Sequence, residues 1–376
     1  MRKLRYVIGS MDVGGAEKHL LYILPRLKAM GWNIKVILLN SRGALADELE
    51  TQGVPVVFPN WLGFCQKWPQ IIRFPVKLIV SLARLISEFI KDRQTPVHFF
   101  LPESVVLGLL AAIITNLPAK KIMSRRSMNN YQQRRPILGW IERKLHRFLD
   151  CALGNSKAVT DQLLEEGIDP DKIGLIYNGI DEPNKTSVDI RKNMRIAKDT
   201  LVLTIVANLI PYKGHQDLLQ ALSSISAKLP EWRLLCIGND RGILNELQQQ
   251  AAHLNIDSRV KWLQDVKEVA PFWQATDIGL LTSHEEGFSN AILEAMSQGV
   301  PMIVTDVGGN AEAVLNDKSG LVVPAGEPVK LAAAIHKLAS NPELRGRFGK
   351  QARDLYMKNY TAEKCVNSYN EFYQRL

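Results

Sequence analysis

Residues 4–40 read LRYVIGSMDVGGAEKHLLYILPRLKAMGWNIKVILLN, and this stretch contains the unit whose repetition predicts the fold. A short apolar strand, a glycine turn at Gly14 and Gly15, an amphipathic helix and a second apolar strand follow one another. Apolar strands that alternate with such helices are typical of a parallel sheet covered on both faces. Because such sheets bind ligands at the carboxyl ends of their strands, this turn is expected to face a ligand. A plain tight turn is the alternative.

The same alternation continues to residue 182 and begins again at residue 201 with LVLTIVANLI. Residues 183–198 lie between the two halves, contain many turn formers and lack a periodic apolar pattern, which is typical of a linker. A chain of 376 residues is long enough for two domains. We therefore predict an α/β protein with an N-terminal Rossmann-like domain over 1–182, a linker over 183–198 and a C-terminal Rossmann-like domain over 199–358.

The composition excludes several classes of protein. Apolar residues make up 46% of the sequence and charged residues 23%, the balance of a soluble globular protein. The N-terminal apolar run is too short for a secretion signal, and the longest apolar run, Val105–Ile114, is about half of a bilayer span. We expect a cytoplasmic protein. The four cysteines are far apart, which favours free buried thiols over a metal cage or a disulfide framework.

The formal net charge is +9, and positive residues are concentrated between Lys120 and Arg147. Such a surface attracts nucleic acid, anionic lipid or a phosphorylated substrate. No helix-turn-helix, zinc-finger or aromatic RNA-binding pattern accompanies it, so nucleic acid is the least favoured partner. Trp61 and Trp68 flank Lys67, a combination that suits an anionic membrane surface. The alternative is that the cations are solvated on helix faces and the tryptophans pack locally.

A second stretch, HEEGFSNAILEAMSQGVP at residues 284–301, contains the side chains on which the functional prediction depends. Glu286 precedes a helix predicted to begin near Ser289 or Asn290, and Glu294 lies on the second turn of that helix. Backbone N–H groups at a helix N-terminus suit a phosphate. A carboxylate one turn further along is placed to accept from sugar or ribose hydroxyls. The alternative is a surface helix with scattered glutamates.

Five further stretches accompany this one in order along the chain: GGAEKHL, NSKAV, IYNGID, ANLIPYKGH and VTDVGGNAE. Together with EEGFSNAILEAM they resemble the retaining glycosyltransferases of family 4, whose E-x7-E motif matches Glu286 and Glu294. The resemblance covers nearly the whole chain and implies the GT-B architecture, in which two doubly wound Rossmann-like domains face a cleft. It also implies that a terminal helix, over 359–376, crosses back to the first domain.

The resemblance implies a donor-binding role for residues of both domains. Glu286 is expected to hold sugar hydroxyls, Glu294 the ribose, and Lys213 the diphosphate, whose negative charge grows as the sugar–phosphate bond breaks. Asn208 departs from the family's R-x4-K pattern, because an amide stands where the arginine is expected and cannot neutralise charge. The expected donor site comprises Gly14, Gly15, Asn208, Lys213, Gly238, Glu286, Gly287, Phe288, Ser289, Asn290 and Glu294.

Fewer residues indicate the acceptor side. His98 stands where the resembling family often has a histidine, although a histidine on such a strand is more often a core residue. Glu103, Arg125 and Arg126 follow strand ends and are expected on the acceptor or phosphate side. No D-x-D pair stands at the phosphate site, so neither a metal nor another cofactor is expected. The expected catalytic residues are Lys213, Glu286 and His98.

These expectations describe a hexosyltransferase that moves a sugar with retention of configuration. The donor is a nucleotide sugar, with UDP preferred as the nucleotide, and the acceptor is a glycan or a lipid-linked glycan in surface polysaccharide or lipopolysaccharide biosynthesis. The enzyme would work in the cytoplasm, peripheral to the inner face of the membrane. Two alternatives stay open: a catalytically silent nucleotide-sugar-binding subunit, which Asn208 favours, and an epimerase or phosphorylase on the same fold.

Overall fold

The computed structural model describes residues 2–58, 69–130, 132, 135–183 and 187–376. The chain divides into two units, each with its own core. Unit 1 comprises Met1–Asn178 together with Ala362–Leu376, and unit 2 comprises Gly179–Thr361. The predicted boundary at residue 182 lies four residues beyond the end of the first segment of unit 1. The aromatic stretch Trp61–Trp68 lies outside the described residues.

Unit 1 is built on one parallel sheet. Its strands are β1 (Arg2–Ile8), β2 (Trp32–Leu38), β3 (Val56–Val57), β4 (Val97–Phe100), β5 (Lys121–Arg125), β6 (Cys151–Gly154) and β7 (Ile173–Leu175). Their order across the sheet is β3-β2-β1-β4-β5-β6-β7. Its helices, numbered along the whole chain, are α1 (Gly15–Ala29), α2 (Leu45–Thr51), α3 (Gln70–Lys91), α4 (Pro102–Ile114), α5 (Pro136–Leu145), α6 (Lys157–Glu165) and α15 (Ala362–Gln374).

The alternation of side chains along β1 explains the two faces of this sheet. Leu4, Tyr6 and Ile8 belong to the core shared with α1 and α15, whereas Val7 belongs to the core on the opposite face, shared with α3 to α6. A strand buried on both faces must be apolar throughout, and five consecutive residues of β1 are buried. The uninterrupted apolar pattern of the strands therefore follows from their position inside the sheet.

The C-terminal helix α15 packs into unit 1, as the resemblance implies, although the chain enters it from unit 2. The Tyr373 hydroxyl lies 2.6 Å from Nδ1 of His98 and 2.5 Å from the Tyr6 hydroxyl, all in the core. At the helix surface, Trp32 Nε1 donates to Asn370 Oδ1 at 2.8 Å. The helix begins at Ala362 rather than at residue 359, where α14 of unit 2 ends.

Unit 2 repeats the same architecture. Its strands are β8 (Leu201–Val206), β9 (Trp232–Ile237), β10 (Val260–Leu263), β11 (Ile278–Leu281), β12 (Met302–Thr305) and β13 (Gly320–Val323). They form a parallel sheet in the order β10-β9-β8-β11-β12-β13. The helices are α7 (Ile190–Asn193), α8 (His215–Ile225), α9 (Leu244–His253), α10 (Ala270–Ala275), α11 (Asn290–Ser297), α12 (Asn310–Ala313), α13 (Pro328–Ala339) and α14 (Pro342–Asn359). In the described part of the chain, no helix has the length and apolar character that a membrane crossing requires.

The predicted linker over 183–198 is part of unit 2 wherever it is described. Its helix α7 places Ile190 in a small core with Val202, Leu235 and Ala275. Arg191 donates to the Asp277 carboxylate at 2.7 Å, which attaches the same segment to the residue that precedes β11. The segment lacks apolar periodicity because one turn of helix buries a single isoleucine among many polar residues.

We predict that Tyr373→Phe lowers the free energy of unfolding by about 1–3 kcal/mol, because His98 and the Tyr6 hydroxyl would each lose a partner in the core. Urea unfolding followed by circular dichroism measures the change. Ser368→Ala is the matched control, since its exposed hydroxyl donates to the Lys364 carbonyl of the same helix. Equal free energies of unfolding for Tyr373→Phe and the wild type would show that the hydrogen bonds among Tyr373, His98 and Tyr6 do not stabilise unit 1.

Candidate functional site

Four loops meet at the carboxyl edge of the unit 2 sheet: 207–214 after β8, 238–243 after β9, 282–289 after β11 and 305–309, which begins with the last residue of β12. The first and third are in direct contact. Gly214 has a φ of +69°, and a Cβ there would lie 1.9 Å from the Thr282 carbonyl oxygen, so only glycine fits. Thr282 Oγ1 donates to the Gly214 carbonyl at 3.0 Å, and the His284 N–H donates to the Tyr212 carbonyl at 2.7 Å.

The fourth loop supports the third from the other side. Gly308 has a φ of +52°, and a Cβ there would lie 1.9 Å from the carbonyl oxygen of Glu286. The Gly309 N–H donates to the Gly287 carbonyl at 2.8 Å, and Thr305 Oγ1 donates to the Ser283 carbonyl at 2.5 Å. The backbone around Glu286 is therefore held between two glycine contacts.

Lys213 and Glu286, both expected at the donor site, form an ion pair at the centre of this edge. Lys213 Nζ lies 2.6 Å from Glu286 Oε1, and the two side chains are 17% and 11% exposed. Ser283 Oγ donates to the same carboxylate oxygen at 2.7 Å. A pair this far from water interacts more strongly than one on the surface, and removing either partner leaves a charge with poor solvation.

Helix α11 begins at Asn290, within the predicted range, and brings Glu294 to the same region of unit 2. Trp273 Nε1 donates to Glu294 Oε2 at 3.4 Å. Ser289 is the N-cap residue, but its hydroxyl makes no capping hydrogen bond. Phe288 is buried with its ring 5.5 Å from that of Tyr360. Its side chain therefore belongs to the core, and only its backbone groups could bind a ligand.

Asn208 and Gly238 hold the first two loops together. Asn208 Oδ1 accepts from the Asn239 N–H at 3.2 Å. A Cβ at Gly238 would lie 2.1 Å from the Ala207 carbonyl oxygen, so the backbones of the loops are in contact there. The amide of Asn208 thus has a structural role that an arginine could not fill, because a guanidinium has no acceptor for the Asn239 N–H.

His215 follows the glycine turn of the first loop and was not expected at the site. Its ring is buried, and neither ring nitrogen has a hydrogen-bond partner among the described residues. Burial, with a smaller contribution from the nearby charge of Lys213, lowers the pKa of His215 to about 4. The ring is therefore neutral near pH 7 and supplies no positive charge to this edge.

The residues expected on the acceptor side lie in unit 1, and two of them are core residues. His98 is fully buried, and its Nε2 lies 2.8 Å from Ser124 Oγ while Nδ1 contacts Tyr373. Arg125 is also buried and pairs with Glu142 at 2.8 Å and Glu166 at 2.9 Å. In this conformation neither side chain is available to a substrate, because the fold already uses its polar atoms.

The other unit 1 candidates are nearer the surface. Arg126 is half-buried, with one guanidinium nitrogen 3.2 Å from His19 Nε2. Glu103 accepts from Asn40 at 2.7 Å and lies 3.4 Å from Lys77 Nζ. Gly14 is the N-cap residue of α1, and Gly15 is its first residue.

Three of the four cysteines are described, namely Cys151, Cys236 and Cys365, and all three are free. Cys236 and Cys365 are buried, whereas Cys151 is half-buried. Burial raises the pKa of the Cys236 and Cys151 thiols, which keeps them protonated.

Two doubly wound α/β units, the second with a lysine–carboxylate pair at the carboxyl edge of its sheet, define a protein of the GT-B type. Two family models match the chain: "Glycosyltransferase Family 4" over residues 13–182 and "Glycosyl transferases group 1" over residues 187–355. The chain therefore belongs to the family 4 glycosyltransferases and has the GT-B fold, as the sequence predicted.

Curated relatives and solved structures are similar to this chain over different lengths. N-acetyl-alpha-D-glucosaminyl L-malate synthase of Bacillus anthracis is 30% identical over 57% of this chain and 58% of its own length. The capsular polysaccharide biosynthesis glycosyltransferase CapM of Staphylococcus aureus is 24% identical over 78% of this chain and 80% of its own length. A crystal structure of Anabaena HepE in complex with UDP superimposes over 100% of both chains, with a TM-score of 0.84 and 21% identity. The last likeness shows the fold alone.

We predict that Gly308→Ala weakens binding of UDP by about tenfold or more, because an alanine Cβ would displace the Glu286 backbone on which the ion pair depends. Isothermal titration calorimetry measures the affinity. Gly326→Ala is the matched control, since Gly326 also has a positive φ but a Cβ there meets nothing within 4 Å. Both variants are strained, and only Gly308→Ala should lose affinity. An equal loss in both variants, or in neither, would contradict the role of the contact.

Proposed function

We propose that the protein is a retaining glycosyltransferase that moves a hexose from a UDP-sugar to a glycan or lipid-linked acceptor in surface polysaccharide biosynthesis, lipopolysaccharide included. The observation that carries the proposal is the Lys213–Glu286 pair, held by four converging loops at the carboxyl edge of the unit 2 sheet. The relatives support it, since CapM is named for capsular polysaccharide biosynthesis and HepE has been crystallised with UDP and with UDP-glucose.

The roles follow from the charges at this edge. Glu286 accepts from sugar hydroxyls and Glu294 from ribose hydroxyls, while the backbone N–H groups of Gly287–Asn290 face the phosphates at the start of α11. When the diphosphate arrives, Lys213 exchanges its carboxylate partner for phosphate oxygens. Its charge is most useful as the leaving group becomes more negative, and this difference between ground state and transition state accelerates the reaction.

The transfer needs no dedicated general base in this account. The bond between the sugar C1 and the phosphate oxygen breaks, and the acceptor oxygen bonds to C1 on the side from which the diphosphate leaves. The acceptor proton passes to the departing phosphate oxygen. Neither a metal nor another cofactor takes part in the proposed reaction. The burial of His98 supports this route, because its ring nitrogens are already engaged.

We predict that the purified chain transfers sugar from a UDP-sugar to free or lipid-linked glycans, and that the product keeps the anomeric configuration of the donor. Liquid chromatography detects the product, and proton NMR reads its configuration. Lys213→Gln should lower kcat about 100-fold, because a charge-assisted contact to the leaving group is lost. The matched control Lys228→Gln removes an exposed cation beyond the C-terminal end of α8 and should leave kcat unchanged.

Other outcomes of this assay distinguish the alternatives. Binding of UDP without transfer across the acceptor panel would favour a catalytically silent subunit, for which the neutral Asn208 is the motivating residue. A changed donor sugar without an acceptor would favour an epimerase. A product with inverted configuration would contradict the retaining mechanism.

We further propose that the reaction takes place in the cytoplasm at the inner face of an anionic membrane, and the surface of unit 1 supports the contact with the membrane. On α5, Ile137 is 77% exposed and Trp140 is 56% exposed. The ammonium of Lys144 lies 6.0 Å from the centre of the Trp140 ring. Arg135 and Ile137 line an apolar groove of about 400 Å³ at the start of this helix. Exposed apolar side chains beside cations suit a headgroup region with anionic lipid.

Helix α3 supports the same location. It packs, like α5, against α4, and its first turns expose Ile71, Ile72 and Phe74. The basic run of residues 120–147 contributes less charge than its composition indicates. Arg125 is buried with Glu142 and Glu166, and Lys121 pairs with Asp150 at 2.9 Å.

We predict that the protein binds vesicles containing anionic lipid and that salt weakens this binding. Ile137→Ser combined with Trp140→Ser should reduce the bound fraction severalfold in a flotation assay, because both apolar contacts are lost. The control Val329→Ser removes a side chain that is 80% exposed in unit 2 and should have no effect. If the wild-type protein does not bind these vesicles at low salt, that result would contradict membrane binding and favour a soluble acceptor.

A further inference from the structure

The loops after β8, β11 and β12 supply little uncompensated positive charge for a diphosphate. Lys213 is already paired with Glu286, so this pair contributes no net charge. Asn208 is neutral, and burial keeps His215 neutral near pH 7. His284 lies 2.6 Å from the Asp217 carboxylate, so its charge, when protonated, is also balanced. A nucleoside diphosphate brings at least two negative charges and needs another cation nearby.

The loop after β9 brings an arginine alongside Asn208. The Leu209 N–H donates to the Asn239 carbonyl at 3.0 Å, and the Arg241 N–H donates to the Leu209 carbonyl at 3.1 Å. These bonds continue the pairing of β8 with β9 beyond the ends of both strands. The backbone of Arg241 is therefore hydrogen-bonded directly to Leu209, the residue that follows Asn208.

The neighbouring carboxylate fixes this loop. Asp240 Oδ1 accepts from the N–H groups of Gly242, Ile243 and Leu244 at 2.8, 2.9 and 3.0 Å. These backbone hydrogen bonds, that of Gly242 first, lower the pKa of Asp240. The carboxylate is thereby committed to the first turn of α9.

The side chain of Arg241, unlike that of Asp240, does not hold the loop in place. Its side chain is exposed, and among the residues that the structure describes its guanidinium has neither a hydrogen bond nor an ion pair. The positive charge is thus available at a fixed point of the loop, next to the position where the family pattern places its arginine.

We infer that Arg241 binds the diphosphate of the donor and replaces the charge that Asn208 lacks. The inference rests on the proposed function, because it assumes a nucleotide-sugar donor at this edge. The two positions then have divided roles. Asn208 ties the loops together through its amide oxygen, and Arg241, on the loop so tied, provides the cation.

Calorimetry with UDP and with uridine tests the inference, because only UDP has phosphates. Arg241→Gln should weaken UDP binding about tenfold and leave uridine binding unchanged. Lys228→Gln, which removes an exposed cation at the opposite edge of unit 2, should change neither affinity.

Two results would overturn the inference while leaving the proposed function intact. Arg241→Gln could bind UDP as tightly as the wild type, or it could lose UDP and uridine equally, which would assign the residue to the base or to loop structure. Failure of the wild type to bind UDP, ADP and GDP would contradict the proposed function itself, and the inference with it.

Discussion

The contact of two glycines with neighbouring backbone is the constraint on which the unit 2 site depends. Gly214 lies against the Thr282 carbonyl and Gly308 against that of Glu286, both at distances that exclude a Cβ. These contacts hold the loops of β8, β11 and β12 in one arrangement, and the Lys213–Glu286 pair follows from it. Preorganisation of this kind costs conformational entropy during folding, and less conformational entropy is then lost when a ligand binds.

The ion pair also determines how the site responds to charge. In the absence of ligand, Lys213 and Glu286 neutralise each other away from bulk water, which avoids two isolated charges. In the function we propose, a diphosphate would compete with the carboxylate for the lysine, while sugar hydroxyls would give the carboxylate new partners. An intact nucleotide sugar would then provide partners for both members of the separated pair.

Most of the fold could be predicted from the sequence, because buried parallel strands must be apolar throughout and the helices between them amphipathic. The pairing of Lys213 with Glu286 was accessible in part. Both residues follow strands of one sheet, and the carboxyl ends of parallel strands share an edge. Glu294 was placed on the second turn of α11 by the predicted start of that helix, and its role comes from the resemblance. These placements depend on local pattern and on one general rule of sheet topology.

The burial of two acceptor-side candidates depends on contacts distant in sequence. Arg125 is buried by Glu142 and Glu166, and His98 by Tyr373, a residue 275 positions away. No local pattern distinguishes a buried arginine with two carboxylate partners from an exposed one at a strand end. Phe288 was expected at the donor site as part of the segment Gly287–Asn290, and its ring packs in the core against Tyr360. Gly238 brought the loop after β9 into the expected donor site, but Arg241 was not among the expected residues.

We propose that one edge of unit 2, formed by four loops, binds the nucleotide part of the donor. Hydrogen–deuterium exchange of the intact chain with and without saturating UDP tests this directly, because each amide reports its own environment. The account predicts slower exchange in residues 207–214, 238–243, 282–290 and 305–309, with Gly287–Asn290 among the most affected. Unchanged exchange in these four loops, despite binding measured by calorimetry, would contradict it.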